Sequence, residues 1–365
     1  ESIDVWLRLH IVLMLVAFGV LFPLGILFGI TKHWLHVPTQ IAAVAITAVA
    51  FVFAHVHGGR SFPESAHARA ANVIAVLIAA QVGCGIFLKR FRNVGVLRSV
   101  VHGVHRWLGL GWLLLGCVQC WLGLVAYLGF CSADHKGNCL AHEIIGGSFV
   151  AYGVAVWLTA SGDGRRWLRR ASDRSTDWAD ALLVTFWGMF NTLTEHPWGQ
   201  ASWHFDAWNH TDMQHTSMGV LWLAGGAAAL ATLARWPAQR TPLPALVILF
   251  TGGGMVAHHQ HHKAGVMTHA WFGRTLMAAA VLRIIEIMLE EGNLGYHMDQ
   301  CGILVAFRRL SALLMVIAGI LFCGSTEQAV EVMATNDIDL VTYMNGLISV
   351  AFGIALYVEL LVAVY

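Results

Sequence analysis

The chain has 365 residues, 57% hydrophobic and only 12% charged, with 22 Lys and Arg against 21 Asp and Glu. Soluble domains carry about 25% charged residues, so this composition cannot cover a water-facing surface. A net charge of +1 leaves no basic footprint for nucleic acid. The chain reads as an all-α, polytopic transmembrane helix bundle in contact with membrane lipid. Histidine is costly in hydrocarbon unless it lines a cavity or binds something. The positions of the 20 histidines therefore carry most of the functional information.

Apolar runs broken by charge, Gly and Pro predict about eleven spans, near residues 6–30, 37–57, 68–88, 103–130, 141–160, 178–195, 212–234, 243–262, 269–289, 303–323 and 341–364. The polar stretch 161–177 is the longest break and divides two expected sub-bundles, 1–165 and 166–365. Glu1 is not a methionine, which removal of a signal peptide, disorder or trimming would each explain. Loops on the face opposite the N-terminus hold Lys32, Lys89, Arg90, Arg92, Arg98, the Arg165–Arg174 cluster, Arg235, Arg240, Arg308 and Arg309. That excess marks the cytosolic side, which places the N-terminus in the lumen or outside the cell and the C-terminus in the cytosol. Cys131 and Cys139 flank a short loop on the lumenal side, where an oxidising compartment permits a disulfide. The sequon Asn209-His210-Thr211 falls on that side too.

In chain order, His10 lies near the start of the first helix, His36 opens the second, His67 opens the third, and His102 or His105 lies near the start of the fourth. Alternate helices start on opposite faces. His10 and His67 therefore share the lumenal depth, while His36 and the fourth-helix histidine share the cytosolic one. Two imidazoles at one depth, on helices separated by one neighbour, suit a b-type haem held between axial nitrogens.

Several motifs carry a resemblance. His10-Ile-Val-Leu-Met-Leu, Trp34-Leu35-His36 followed by Gln40, His67 followed by Gln81, and His105-Arg106-Trp107-Leu108-Gly109 stand in the order of the four haem helices of the cytochrome b561 superfamily. Residues 5–130 resemble that family. The resemblance implies two b-type haems, the outer on His10 and His67, the inner on His36 and His105. It also implies a cytosolic small-molecule reductant such as ascorbate.

The second half concentrates metal-ligand residue types on the lumenal side: Glu195, His196, His204, Asp206, His210, Asp212, His215, the tract His258-His259-Gln260-His261-His262, and His269. Asp212 and His215 are three apart and His258 and His262 four apart, so on helices each pair shares one face. With Glu195 or His196 they form the expected metal set. Imidazole with carboxylate and no thiolate points to copper or iron before zinc. Arg283 and Glu286 read as a structural ion pair. Glu195-His196, Asp212-x-x-His215 and the His258–His262 tract also resemble the histidine-rich C-terminal half of the fungal Ytp-type membrane proteins.

Together these expectations describe a haem-dependent transmembrane oxidoreductase. Electrons would pass from a cytosolic donor to a lumenal metal site that reduces a metal or activates oxygen. The alternatives are a haem-coupled metal importer and a metal-binding scaffold. Oligomeric state is not legible in the chain.

Overall fold

The computed structural model describes residues 3–58, 60, 62, 64–91, 95–131, 136–160, 176–194, 208, 210–258, 260, 262–291 and 302–364. Among the described residues the fold is helical throughout. The first span runs as α1 (Val5–Val16), a π-helical turn (Ala17–Leu21) and α2 (Phe22–Ile30). Then come α3 (His36–Val56), α4 (Ala66–Arg90), α5 (Gly95–Leu128), α6 (Lys136–Ala160), α7 (Asp177–Thr194), α8 (His210–Arg235), α9 (Leu243–Val256), α10 (Lys263–Glu291), α11 (Gly302–Cys323), the short α12 (Glu327–Thr335) and α13 (Leu340–Val364).

Each expected segment contains a helix, but not all eleven are confirmed as spans. Among the described residues, eight helices are long and apolar enough to cross a membrane: Val5–Ile30, His36–Val56, Ala66–Arg90, Gly95–Leu128, Gly137–Ala160, Asp212–Arg235, Gly302–Cys323 and Leu340–Val364. The other three expected spans are α7, α9 and α10. Helix α7 opens on Asp177 and Asp180, α9 has only 14 residues, and α10 carries Arg274, Arg283, Glu286, Glu290 and Glu291.

The chain divides into two compact units, Glu1–Asp134 with the last residues Leu360–Tyr365, and His135–Glu359. The division falls before α6 and not near residue 165. A helix belongs to the surface on which it packs, and α6 packs along α11. A Cβ at Gly146 would stand 2.7 Å from the Gly319 carbonyl oxygen, and one at Gly153 2.8 Å from that of Ala312. Cys131 and Cys139 are both disulfide-bonded, as their place in a short polar loop leads one to expect.

The first unit pairs α1 and α2 with α3, and α4 with α5. Its core sits at mid-depth, where Ala17, Phe22, Ile26, Ala43, Ile74 and Trp112 are buried together. Phe18 lies against Trp112 with ring centres 6.2 Å apart, and Phe22 meets the same indole at 5.7 Å.

The second unit is tighter. Gly252 of α9 and Gly273 of α10 face each other so closely that a Cβ on either would stand 2.6 or 2.5 Å from the other's carbonyl oxygen. Small residues bring helix backbones together where no apolar driving force between helices exists. One end of this unit is fastened by ion pairs. Arg283 binds Glu286 at 2.6 Å, Asp180 at 3.3 Å and Asp177 at 3.4 Å. Arg308 binds Glu286 at 2.5 Å and Glu290 at 2.7 Å. Arg240 binds Asp177 at 2.9 Å and also pairs with Glu290. The expected Arg283–Glu286 pair is thus part of a network across α7, α10, α11 and the turn before α9. The Glu286 side chain is fully buried within it.

Candidate functional site

In the first unit the four expected histidines meet as two pairs. His10 of α1 faces His67 of α4 with ring centres 6.3 Å apart and planes at 79°. His36 of α3 faces His105 of α5 at 6.4 Å and 87°. His102 is exposed and His105 half-buried, so the ring opposite His36 is that of His105.

Hydrogen bonds fix the tautomers of His10 and His36. A carbonyl oxygen only accepts, so a ring nitrogen bonded to one must carry the proton. His10 Nδ1 donates to the Ala50 carbonyl at 2.8 Å and His36 Nδ1 to that of Gly25 at 2.7 Å, whereas His67 Nδ1 lies 3.1 Å from the Gln119 carbonyl and close to the Gln119 side-chain amide, two contacts that call for opposite tautomers. In its neutral form a ring that donates through Nδ1 keeps Nε2 as a bare lone pair, the state that binds metal. The Gln119 amide donates to the His67 carbonyl at 3.0 Å and lies 3.0 Å from His67 Nδ1. Gln81 supports the fourth histidine by donating to the His105 carbonyl at 3.0 Å. His105 Nδ1 is buried without a hydrogen-bond partner.

Glycines make room for these rings. A Cβ at Gly29 would stand 2.9 Å from His36 Nδ1, one at Gly123 3.1 Å from His67 Cε1, and one at Gly85 3.5 Å from His105 Cε1.

The pairs lie at opposite ends of the unit. His36 and Ala50, the residue whose carbonyl holds His10, are fourteen positions apart on α3. At 1.5 Å per residue that is about 21 Å. The aromatic core of Phe18, Phe22 and Trp112 lies between them in sequence on both flanking helices. Among the cationic residues between α4 and α5, Arg98 is used structurally: it donates to the carbonyls of Leu88 and Phe91, both at 2.7 Å, where α4 ends.

In the second unit four imidazoles form a chain. His142 near the start of α6 and His269 near the start of α10 have ring centres 5.5 Å apart and Nε2 atoms 3.3 Å apart. His269 meets His258 at 5.6 Å, and His258 meets His215 of α8 at 5.5 Å. His142 Nδ1 donates to the Asn138 carbonyl and His269 Nδ1 to the Gly265 carbonyl, both at 2.9 Å. Phe322 stacks on His142 at 4.5 Å and covers the group from the α11 side. His258 and His269 are buried.

This differs from the expected metal set. His215 and His258 come together, but His262 does not join them. Helix α9 ends at Val256, after three consecutive glycines that weaken it, with Ala257 as its C-cap. The His258–His262 spacing is therefore not helical. His258 turns inward, while the His262 side chain is 66% exposed and stands 3.8 Å from Glu327. Asp212 is half-buried one turn before His215 on α8. Glu195 and His196 lie outside the described residues, as do His204, Asp206, His259 and His261. The metal set expected from the sequence contains neither His142 nor His269. Their signal is expected depth: with alternating spans, the starts of the 141–160 and 269–289 segments would fall on the same face as His215. Among the described residues no three metal-ligand side chains already surround one point at coordinating distance.

Eight long apolar helices in two packed units define a multi-pass membrane protein. Residues 115–365 match the family described as "Protein YTP1-like, C-terminal", and residues 1–91 match a "Domain of unknown function (DUF2427)". The chain belongs to the YTP1-like family. Protein YTP1 of Saccharomyces cerevisiae is 35% identical over 68% of this chain and 51% of its own length. The chain thus spans about half the length of that relative. An uncharacterized membrane protein of Schizosaccharomyces pombe is 24% identical over 95% of this chain and 91% of its own length. A second Saccharomyces cerevisiae protein, also described as an uncharacterized membrane protein, is 22% identical over 54% of this chain and 37% of its own. No solved structure matches. The motifs that resemble the cytochrome b561 superfamily lie mostly within the segment matched as a domain of unknown function, and these comparisons bring no evidence of a cytochrome b561 relationship.

Proposed function

We propose that the protein is a transmembrane electron-transfer oxidoreductase. It would take electrons from a cytosolic small-molecule reductant of the ascorbate class and deliver them to a metal site in the histidine-rich unit on the lumenal side. His10 with His67, and His36 with His105, would each hold one b-type haem. The excess of Lys and Arg in alternate loops supports this orientation.

The observation that carries the reading is the geometry of the two pairs. An iron held between the two imidazoles of a pair would lie about 2 Å from each nitrogen, which would put the ring centres roughly 6 Å apart. The pairs stand at 6.3 and 6.4 Å. A haem so bound supplies a one-electron iron couple. The residues do the rest. The carbonyls of Ala50 and Gly25 hold the His10 and His36 rings in the ligating tautomer, and Gly29, Gly123 and Gly85 leave room for the rings of His36, His67 and His105. The buried Phe22 and Trp112, with the half-buried Phe18, keep water from the middle of the unit.

Reduced-minus-oxidised spectra of the purified chain test this. Two b-type components are expected, one lost in His67→Ala and the other in His36→Ala. Protein with no reducible haem band sinks the proposal.

A second reading, haem-coupled metal import, gains one observation. The acid-rich network of Asp177, Asp180, Glu286 and Glu290 borders a cavity of about 100 Å³ lined in part by Tyr152, Asp180, Arg283 and Trp222. Uptake of metal into proteoliposomes would favour import over reduction alone.

A further inference from the structure

The geometry points to a tetrahedral, all-imidazole site for one d10 transition-metal ion, zinc(II) or copper(I), built by His142, His215, His258 and His269 at one end of the second unit. With copper, which can change oxidation state, this deepens the metal half of the functional proposal; with zinc(II), which has no redox chemistry, the site would bind metal without accepting electrons. It stands whether or not the first unit carries haem.

The starting point is a pair of lone pairs. His142 and His269 each give the Nδ1 proton to a carbonyl, of Asn138 and of Gly265. Both Nε2 atoms are then acceptors, yet they face each other at 3.3 Å. Shifting one proton to Nε2 would make a hydrogen bond between the rings, but it would turn that ring's bare Nδ1 toward a carbonyl oxygen 2.9 Å away. Either arrangement sets two acceptors together in a group that includes the fully buried His269, where an unmet polar contact costs roughly 1–3 kcal/mol. A cation between the two Nε2 atoms removes the conflict.

The spacing selects its geometry. Ligands about 2.0 Å from a tetrahedral ion stand about 3.3 Å apart, against about 2.8 Å for neighbours in a square plane. The His269–His258 and His258–His215 rings, at 5.6 and 5.5 Å, continue the same spacing as the 5.5 Å of His142 and His269. The chain of rings is open, so binding has to draw His258 and His215 toward the first pair. His258 follows the end of α9, where the backbone is not held in a helix. Neutral imidazoles without thiolate suit zinc and copper among first-row ions, and tetrahedral geometry disfavours copper(II).

The test uses full-length protein purified in detergent, stripped with a chelator and titrated with cobalt(II), zinc(II) and, under reducing conditions, copper(I). Wild type should take up one ion per chain, and the cobalt form should show the strong visible bands of a tetrahedral centre. His142→Gln and His269→Gln should each weaken binding by more than the 10- to 100-fold typical of losing a supporting partner, whereas His262→Ala should bind as wild type does. X-ray absorption of the wild-type zinc form should count four nitrogen neighbours, a readout that does not depend on any variant folding. Failure to bind any of the three ions stoichiometrically, a weak octahedral cobalt spectrum, fewer than three imidazoles, or unchanged affinity in both Gln variants overturns the site. The b-type haem bands are read on the same samples, so loss of one proposal is distinguishable from loss of the other.

Discussion

The two units solve the problem of holding helices together in opposite ways. In the first, only 6% of the apolar window of α4 is buried, and a Cβ at Gly83, Gly103 or Gly111 meets no atom within 4 Å. Its most specific long-range bonds are those that hold histidine rings to carbonyls. In the second, 56% of the α11 window is buried, glycine backbones touch across α6–α11 and α9–α10, and a network of ion pairs closes one end. The difference teaches where each unit keeps its stability. The second carries it in its own packing and pairing; the first relies on looser helix contacts anchored by histidine–carbonyl bonds.

The largest expected effect follows directly. His10→Ala combined with His36→Ala should abolish the whole reducible b-type spectrum and make the first unit sensitive to proteolysis, with the second unit's fragment intact. Equal resistance of both units in the double variant would break the comparison.

Next comes the ion-pair network. Glu286→Leu leaves Arg283 and Arg308 without their shared buried carboxylate, and losing one partner of a buried pair costs about 3–5 kcal/mol. Thermal unfolding in detergent should show that loss confined to the second unit. A smaller effect separates the two kinds of glycine. Gly319→Val drives a side chain into the Gly146 backbone and should cost about 1–3 kcal/mol. Gly83→Ala meets open space and should be neutral or stabilising by up to about 1 kcal/mol. Equal penalties at the two sites would mean that the first unit is packed as closely as the second.

The smallest effect is a pH dependence at the N-terminus of α13. The Thr342 hydroxyl and amide, with the Val341 amide, hold the exposed Asp339 carboxyl below its ordinary pKa of 3.8. A lowered folded-state pKa means that this contribution is present above the ordinary carboxylate range and is lost as pH falls through the folded value. Asp339→Asn should therefore destabilise slightly at neutral pH, and the difference from wild type should vanish in strong acid. An unfolding series across that range checks it.

Much of the architecture was legible before any coordinates. Every expected apolar segment contains a helix, although 243–262 is helical only to Val256, because helix formation in lipid follows from local hydropathy and the need to satisfy backbone polar groups. The pairs His10–His67 and His36–His105 were legible as well, since each ring lies near a helix start and helices alternate direction. The choice of His105 over His102 was not open to spacing alone, because both lie one turn apart on the same helix. Helices α7, α9 and α10 coincide with expected segments, but their charges and, for α9, its 14-residue length leave them outside the set of long apolar helices.

By itself the sequence determined the class of protein and the positions of its helices. Those are local quantities, set residue by residue through transfer free energy and helical rise. Only the tertiary structure decided that His142 and His269, 127 residues apart, face each other through their Nε2 atoms, and that His262 turns outward. Such meetings depend on how each helix is rotated about its axis and where α9 stops. Backbone contacts govern those rotations, whether between segments far apart in the chain, as at Gly146–Gly319, or between successive helices, as at Gly252–Gly273, and no local pattern encodes them.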